Sequence, residues 1–223
     1  MTQNILFATQ RILPMLQAAA VGLGLILATG CESSGGGGGG GHDFGDRDPS
    51  ACAVIGDSIS VGYGAEGAPW PARLAGLLDR SVANHGVGGI TTSQGLSILD
   101  GVLARDAGII IISLGANDAI NGISADAVRN NLGAMIQRIR AANGLPVVGN
   151  ITPMTAGHSI FYPQAERINE AIRDLCSSEG VLLVNLNKVV TFDMLQPDGL
   201  HPNSDGQEAI ANAFYNRVRS RVE

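Results

Sequence analysis

Five short apolar runs alternate with amphipathic segments from Ala51 onward, and this alternation constrains the fold more than any other feature. The runs are Ala51–Ile55, Ser81–Asn84, Gly108–Leu114, Pro146–Ile151 and Val181–Leu186. The segments with helical periodicity are Pro69–Arg80, Thr92–Arg105, Ser124–Asn143, Gln164–Ser178 and Ser204–Arg219. Strands that alternate with helices predict a parallel sheet covered by helices on both faces. The third run is apolar at nearly every position, which is typical of a central strand buried on both sides.

Length and composition limit what such a chain can do. A chain of 223 residues that is 45% hydrophobic can bury one substantial core, and nothing indicates a second folded domain. Only 4% of the residues are aromatic, and the net charge is -6. The sequence therefore offers neither the basic surface nor the stacking side chains that nucleic-acid binding requires.

The first thirty residues have the features of a signal peptide. Arg11 is their only charged residue, and the apolar run Ala18–Gly30 is shorter than a membrane span. The run ends in Leu27-Ala28-Thr29-Gly30-Cys31, which resembles the lipobox of bacterial lipoproteins, although Ala28 stands where a larger aliphatic residue is usual. The resemblance implies that Cys31 is lipidated. The alternative is a soluble periplasmic or secreted protein.

Residues 31–50 are predicted to form a flexible tether, because they contain the run Gly35–Gly41 and little that could be buried. His42 lies in this segment and is expected to be a solvated linker residue. In the lipoprotein resemblance, Glu32 after the cysteine implies sorting to the outer membrane. We therefore expect a lipoprotein of the bacterial cell envelope, with residues 51–223 as a periplasmic domain.

The loops that follow the predicted strands contain the side chains that could take part in catalysis. In open parallel sheets, ligands bind at the carboxyl ends of the strands. The loops in question are Gly56-Asp57-Ser58, the glycine-rich Asn84–Thr92, Gly115-Ala116-Asn117-Asp118, Thr152-Pro153-Met154 and Asp198–Pro202. Together they contain a nucleophile, a base, a carboxylate and amide donors, which is what a serine hydrolase needs. Taken alone, Gly-Asp-Ser is also an ordinary turn.

Four of these loops, all except Thr152-Pro153-Met154, resemble the four sequence blocks of the SGNH (GDSL-type) hydrolases, in order, from Gly56 to Pro202. The resemblance implies that Ser58 is the nucleophile, with Asp198 and His201 as the carboxylate and the base. It also implies an oxyanion hole made by the Ser58 amide, the Gly89 amide and the Asn117 side chain. Gly88 competes closely with Gly89 for that role. Two departures are small: Ile59 replaces the usual leucine, and His85 occupies a loop position where it could narrow the pocket or be solvated.

Several further expectations accompany this resemblance. The fold is expected to be a three-layer α/β/α domain, flavodoxin-like, with five parallel strands in the order 2-1-3-4-5. The reaction needs no cofactor, and His85, His158 and His201 show no ligand-like spacing with the cysteines that would indicate a metal site. The family resemblance favours a monomer.

The spacing Asp198-x-x-His201-Pro202 predicts a stiff connection, because a residue before proline is held extended. Ser204 and Gln207 then predict a capping box at the start of the last helix.

Two cysteines fall inside the predicted domain. Cys176 lies on the apolar stripe of a helix and is expected to be a core thiol, and Cys52 opens the first strand. In the expected strand order the first and fourth strands are two spacings apart, roughly 10 Å, whereas a disulfide needs Cα atoms within about 7 Å. An oxidising compartment keeps a Cys52–Cys176 bridge open as an alternative.

The substrate is less constrained. Trp70-Pro71 and the run Thr91–Leu96 resemble the bacterial thioesterase, arylesterase and lysophospholipase branch, which implies acyl esters of small or lipid alcohols. The alternatives are removal of O-acetyl groups from cell-wall or other polysaccharides, and an inactive lipoprotein that binds envelope polymers. The segment Thr152–Pro163 is the candidate substrate wall, with Thr152, Met154 and Phe161 as candidate binding residues.

Overall fold

The computed structural model describes residues 42–222 of the chain. The strands are β1 (Asp48–Gly56), β2 (Val82–Asn84), β3 (Ala107–Ser113), β4 (Leu145–Gly149) and β5 (Leu182–Val184). The helices are α1 (Ser58–Val61), α2 (Trp70–Leu78), α3 (Thr92–Leu103), α4 (Ala116–Ile120), α5 (Ala125–Ala141), α6 (Tyr162–Glu179), α7 (Leu186–Val189) and α8 (Ser204–Val222), with 3₁₀ turns at Ala156–Phe161 and Phe192–Met194. None of the helices in this range is long and apolar enough for a membrane span.

The sheet has five strands in the order β2-β1-β3-β4-β5, and every pairing is parallel. This confirms the predicted α/β class and strand order. All seven residues of β3 are buried, as the unbroken apolar run of the central strand predicted. The short helices α1, α4 and α7 were not predicted, because each follows a strand so closely that it has no amphipathic period of its own.

The core lies on both faces of the sheet, because successive side chains of a strand point to opposite sides. Ile110 and Ile112 of β3 pack in one apolar cluster with α3, α5 and α6. Ile109 and Ile111 pack in a second cluster with α2 and α8, where the rings of Trp70 and Phe214 stack 4.6 Å apart. The protein is therefore a three-layer α/β/α domain.

The folded domain begins earlier than the predicted boundary at Ala51. Strand β1 begins at Asp48, and Arg47 donates hydrogen bonds to the carbonyls of Leu103 (2.9 Å), Ala107 (3.0 Å) and Ala142. His42, expected to be a solvated linker residue, is half-buried and hydrogen-bonds the Asn143 carbonyl at 3.1 Å. The prediction of a tether is therefore wrong for residues 42–50, and its part before residue 42 lies outside the described residues.

The two cysteines of the domain are free thiols, so the alternative of a disulfide is wrong. Cys52 belongs to the α2 and α8 side of the core, whereas Cys176 belongs to the other side. The sheet lies between the two thiols and keeps them apart. Burial raises the pKa of Cys52 to about 12 and that of Cys176 to about 11, so both are inert neutral thiols.

The predicted capping box at the start of α8 is also wrong. Asn203 caps this helix, because its Oδ1 accepts from Gly206 N–H at 3.0 Å. Gln207 is fully buried, accepts from Trp70 N–H at 2.8 Å and donates to the Ile59 carbonyl at 3.2 Å. A side chain predicted to act within its own helix instead ties α8 to α1 and α2.

Candidate active site

Ser58 is the first residue of α1, directly after β1. Asp57 is the N-cap of this helix, in extended conformation, and its carboxylate accepts from Ile59 N–H at 2.9 Å. The chain turns back at Gly62, which has a φ of 81°. The short strand-to-helix turn therefore presents the Ser58 hydroxyl at the carboxyl end of the sheet.

Three side chains form a continuous line of hydrogen bonds at this end. Ser58 Oγ lies 2.9 Å from His201 Nε2, and His201 Nδ1 lies 2.6 Å from Asp198 Oδ2. The other carboxylate oxygen of Asp198 accepts from the N–H groups of Leu200 (2.9 Å) and His201 (3.0 Å). The structure therefore brings together the serine, histidine and aspartate that the sequence singled out, across 143 positions between Ser58 and His201.

The electrostatics of Asp198 suit a group that stays ionised. Burial alone would raise its pKa, but the hydrogen bonds from the His201 ring and from the Leu200 and His201 amides outweigh that effect and lower the pKa below its ordinary value. Because the ionised carboxylate accepts the hydrogen of Nδ1, the neutral His201 ring has its free lone pair on Nε2. This nitrogen faces Ser58 and can accept the hydroxyl proton.

The loop that carries His201 is held on several sides. Gln196 N–H donates to the His201 carbonyl at 2.8 Å, and the Gln196 side chain donates to the carbonyls of Tyr63 (2.8 Å) and Pro202 (3.1 Å). The centre of the Tyr63 ring lies 4.8 Å from that of the His201 ring, and Tyr63 is 63% exposed. Tyr63 was not singled out from the sequence, where nothing marks it as a neighbour of His201.

The predicted oxyanion donors include the backbone amides of Ser58 and of the glycine-rich loop. Ser58 is the first residue of a helix, so its N–H lies outside the repeating hydrogen bonds of that helix. Within the described part of the chain, the N–H groups of Ser58, Gly88 and Gly89 have no hydrogen-bond acceptor. A Cβ added at Gly88 would lie 4.0 Å from the Ser58 Cβ, whereas Gly89 has a φ of 80° and open space beside it. Both glycines therefore keep a free amide in this loop, and the choice between them stays a prediction.

Asn117, the third predicted donor, lies in α4 after β3. Its Nδ2 donates to the Ile90 carbonyl at 3.0 Å and lies 3.4 Å from Asp57 Oδ2. The next residue, Asp118, is fully buried and accepts from the hydroxyl (2.6 Å) and the N–H (2.9 Å) of Thr92. This buried pair ties α4 to the start of α3, and so to the glycine-rich loop.

Asp57 is the main feature that the sequence reasoning missed. Its side chain is 2% exposed, and burial raises its pKa to about 6, partly offset by the Ile59 hydrogen bond and the His201 charge. Its position between a strand and a serine is the only signal in the sequence, and that position also fits an ordinary helix cap.

The predicted substrate wall is only partly open to the surface. Thr152 and Met154 are each 2% exposed, so these side chains support the segment from behind rather than forming its surface. Thr152 borders a cavity of about 10 Å³ that is also lined by Asp57 and Asn150. Phe161 is half-buried against the core.

Two contacts join this wall to the loop of Asp198. Thr155 N–H donates to the Gly199 carbonyl at 2.7 Å, and His158 Nδ1 lies 2.8 Å from the Asp198 carbonyl. Gly199 has a φ of 72°, and a Cβ there would collide with the Thr155 carbonyl oxygen. The approach is close enough that only glycine fits.

His85, the departure in the second block, is half-buried rather than solvated. Burial, with a contribution from the Arg105 charge, lowers its pKa below the ordinary value. Within residues 42–222, no group of three histidine, cysteine or acidic side chains has the arrangement of a metal site.

An α/β/α sheet with serine, histidine and aspartate hydrogen-bonded in series at its carboxyl end defines the class of the serine hydrolases. The family model of the GDSL-like lipases and acylhydrolases matches residues 54–209. The chain therefore belongs to this family and is a GDSL-type esterase. The alternative of an inactive polymer-binding protein is set aside.

Individual relatives agree with this assignment. Thioesterase 1/protease 1/lysophospholipase L1 of Escherichia coli K12 is 30% identical over 181 residues, which cover 76% of this chain and 83% of the relative. The arylesterase of Vibrio mimicus is 31% identical over 172 residues, covering 71% and 82%. The crystal structure of a lipase/acylhydrolase from Enterococcus faecalis has a TM-score of 0.68 and 26% identity, covering 78% of this chain and 97% of that one.

Proposed function

We propose that this esterase hydrolyses carboxylic esters and thioesters with Ser58 as nucleophile, His201 as general base and Asp198 as the carboxylate that orients the base. The observation that carries the proposal is the unbroken line of hydrogen bonds from Ser58 Oγ through His201 to Asp198, at 2.9 and 2.6 Å. A nucleophile, a base and an orienting group within hydrogen-bond reach are the signature of this chemistry.

In the proposed mechanism, Nε2 of His201 takes the hydroxyl proton as Ser58 Oγ attacks the carbonyl carbon. The oxyanion of the tetrahedral intermediate lies among the Ser58 N–H, the Gly89 N–H and Asn117 Nδ2. His201 then gives the proton to the leaving alcohol or thiol, and an acyl-enzyme remains on Ser58. Water, deprotonated by His201, attacks this ester and releases the acid. No cofactor takes part.

We propose acyl esters of small or lipid alcohols as the substrate class. Three exposed apolar residues belong to segments that adjoin the triad. Val61, on α1 with Ser58, is 46% exposed; Tyr63, whose ring lies 4.8 Å from that of His201, is 63% exposed; and Val87, whose N–H donates to the Gly56 carbonyl, is 48% exposed. An apolar surface beside the nucleophile favours an apolar acyl or alcohol group. The names of the relatives, thioesterase, arylesterase and lysophospholipase, support the same class.

The test is hydrolysis of p-nitrophenyl esters from acetate to palmitate by the full chain. We expect activity in the parent and background activity in Ser58→Ala. The matched control is Ser97→Ala, which changes an exposed serine on α3 and should keep the activity of the parent. An optimum at longer chains supports the proposed class, and an optimum at acetate would favour the O-acetyl esterase alternative. Equal activity of the parent and Ser58→Ala would remove Ser58 as the nucleophile.

We also propose that the protein is an outer-membrane lipoprotein with a monomeric periplasmic domain. Residues 1–30 would be the signal peptide, and Cys31 the lipidated residue ahead of the glycine tether. Metabolic labelling with an alkyne fatty acid tests this. We expect label on the parent and on Cys52→Ser, and none on Cys31→Ser. Label on Cys31→Ser, or an unlabelled parent, contradicts the lipid anchor.

A further inference from the structure

The buried carboxylate of Asp57 links α1 and α4, two of the three elements that carry the proposed oxyanion donors. One oxygen accepts from Ile59 N–H at 2.9 Å, at the start of the helix that holds Ser58. The other lies 3.4 Å from Asn117 Nδ2 on α4. Apart from Asp57, no described side chain hydrogen-bonds both to the backbone of α1 and to Asn117.

The geometry of the Asn117 amide makes this link specific. Its Nδ2 carries two hydrogens, and one is directed at the Ile90 carbonyl at 3.0 Å. The second faces Asp57 over 3.4 Å, which is long for a hydrogen bond. An oxyanion at Ser58 can therefore compete for this hydrogen, while the carboxylate keeps the amide aimed before substrate arrives.

We propose that Asp57, as the ionised carboxylate, is a positioning residue for the oxyanion hole, which holds the Asn117 amide beside Ser58 without taking part in the chemistry. This inference rests on the proposed function of Ser58 and Asn117. It extends that function by giving the acidic residue before the nucleophile a role separate from that of Asp198.

Asp57 can position the Asn117 amide only while its carboxyl group is ionised. A carboxylate only accepts hydrogen bonds, whereas a protonated Asp57 would turn an O–H donor toward the Asn117 N–H donor. Two charged or titratable groups act on Asp57: His201 favours the ionised form, and Asp118 on α4 opposes it. Since burial raises the pKa of Asp57 to about 6, Asp57 should stop positioning the Asn117 amide as the pH falls through about 6, where activity can still be measured.

The first test uses Asp57→Asn. This variant keeps the shape of the side chain and the oxygen that faces Ile59, but it sets an NH₂ group against Asn117 Nδ2. We expect kcat for a p-nitrophenyl ester to fall about 100-fold, comparable to the loss of one oxyanion donor, with little change in KM. In Asp57→Ser, which can still cap α1 but cannot reach Asn117, we expect a similar fall.

The second test separates positioning from a general structural role. In an Asn117→Ala background, Asp57→Asn should lower kcat no further, because its effect acts through Asn117. The acid limb of kcat/KM against pH should be shallower in Asp57→Asn than in the parent, because the variant lacks the carboxylate whose protonation would release the Asn117 amide. Ser124→Ala removes the N-cap of α5 away from the site, and we expect its kcat and acid limb to match the parent.

The outcomes are distinguishable. If Ser58→Ala stays active, the proposed function fails, and this inference fails with it. If Ser58→Ala is inactive but both Asp57 variants keep the kcat and the acid limb of the parent, only the inference is overturned. Multiplicative effects of Asp57→Asn and Asn117→Ala would also overturn it. If Asp57→Asn does not fold, the kcat and the acid limb of Asp57→Ser are compared with those of the parent, and equal values overturn the inference.

Discussion

The two ends of the sheet use polar groups in opposite ways. At the amino end, Arg47 donates to the carbonyls of Leu103, Ala107 and Ala142, so its guanidinium is engaged with backbone near the ends of α3 and α5 and the start of β3. At the carboxyl end, the Ser58 and Gly89 amides lack acceptors within the described residues. Donors that are satisfied inside the protein stabilise it, whereas donors left free at an open end are available to a reacting group.

The two ends also differ in how completely their charged side chains are hydrogen-bonded. The Arg47 guanidinium meets several acceptors, whereas the Asp57 carboxylate is buried with one good hydrogen bond and one long one. Burying an incompletely paired carboxylate destabilises the fold. The comparison therefore predicts that changes at the carboxyl end alter activity, and that changes at the amino end alter stability.

Among the variants that compare the two ends of the sheet, Asn117→Ala has the largest expected effect. Loss of one oxyanion donor should lower kcat about 100- to 1,000-fold with little change in KM, measured with p-nitrophenyl esters. The matched control is Asn121→Ala, one turn further along, whose side-chain amide donates to the Asn117 carbonyl at 2.8 Å and to no other group of residues 42–222. If both variants lose activity equally, the effect belongs to α4 as a whole, and the donor role of Asn117 is wrong.

Arg47→Ala tests the amino end. Removing the donors of three carbonyl contacts should lower the free energy of unfolding by about 2–3 kcal/mol, measured by urea unfolding, and leave kcat of the folded protein unchanged. Arg129→Ala, an exposed arginine on α5, is the control and should stay within about 0.5 kcal/mol of the parent. A fall in kcat without loss of stability would break the comparison.

Asp57→Asn should raise stability while it lowers activity. The folded-state pKa of about 6 lies above the ordinary 3.8, so above pH 6 the folded protein carries the cost of a buried charge. The variant should then be more stable than the parent at neutral pH by about 1–3 kcal/mol.

This advantage should shrink as the pH falls from 6 to about 4, because the folded parent takes up a proton before the unfolded chain does. Urea unfolding at a series of pH values measures the difference. An advantage that does not change with pH would show that ionisation of Asp57 is not its cause.

The smallest expected effect is that of a reductant. Since Cys52 and Cys176 are free thiols on opposite sides of the sheet, dithiothreitol should leave the unfolding midpoint of the parent unchanged. The same experiment on a Cys52→Ala variant provides the control. A lower midpoint in the reduced parent alone would indicate a disulfide that involves Cys52.

Local patterns were sufficient for the architecture. The apolar run of β3 predicted a strand buried on both faces, and the alternation of strands and helices predicted the parallel sheet that is found. They were not sufficient for contacts between distant residues. The Gln207 side chain was assigned to its own helix, although it bonds Ile59 across 148 positions, and Arg47 was assigned to a tether, although it bonds Ala142 across 95.

The sequence by itself determined the class of fold, the family, and which side chains stand at the carboxyl ends of the strands, because these depend on periodicity, on short motifs and on their order. Only the tertiary structure decided which of those groups meet. Hydrogen bonds form over about 3 Å, and packing between distant segments sets such distances. The raised pKa of Asp57 and its place beside Asn117 arise in this way, since burial and neighbouring charges exist only in the folded chain.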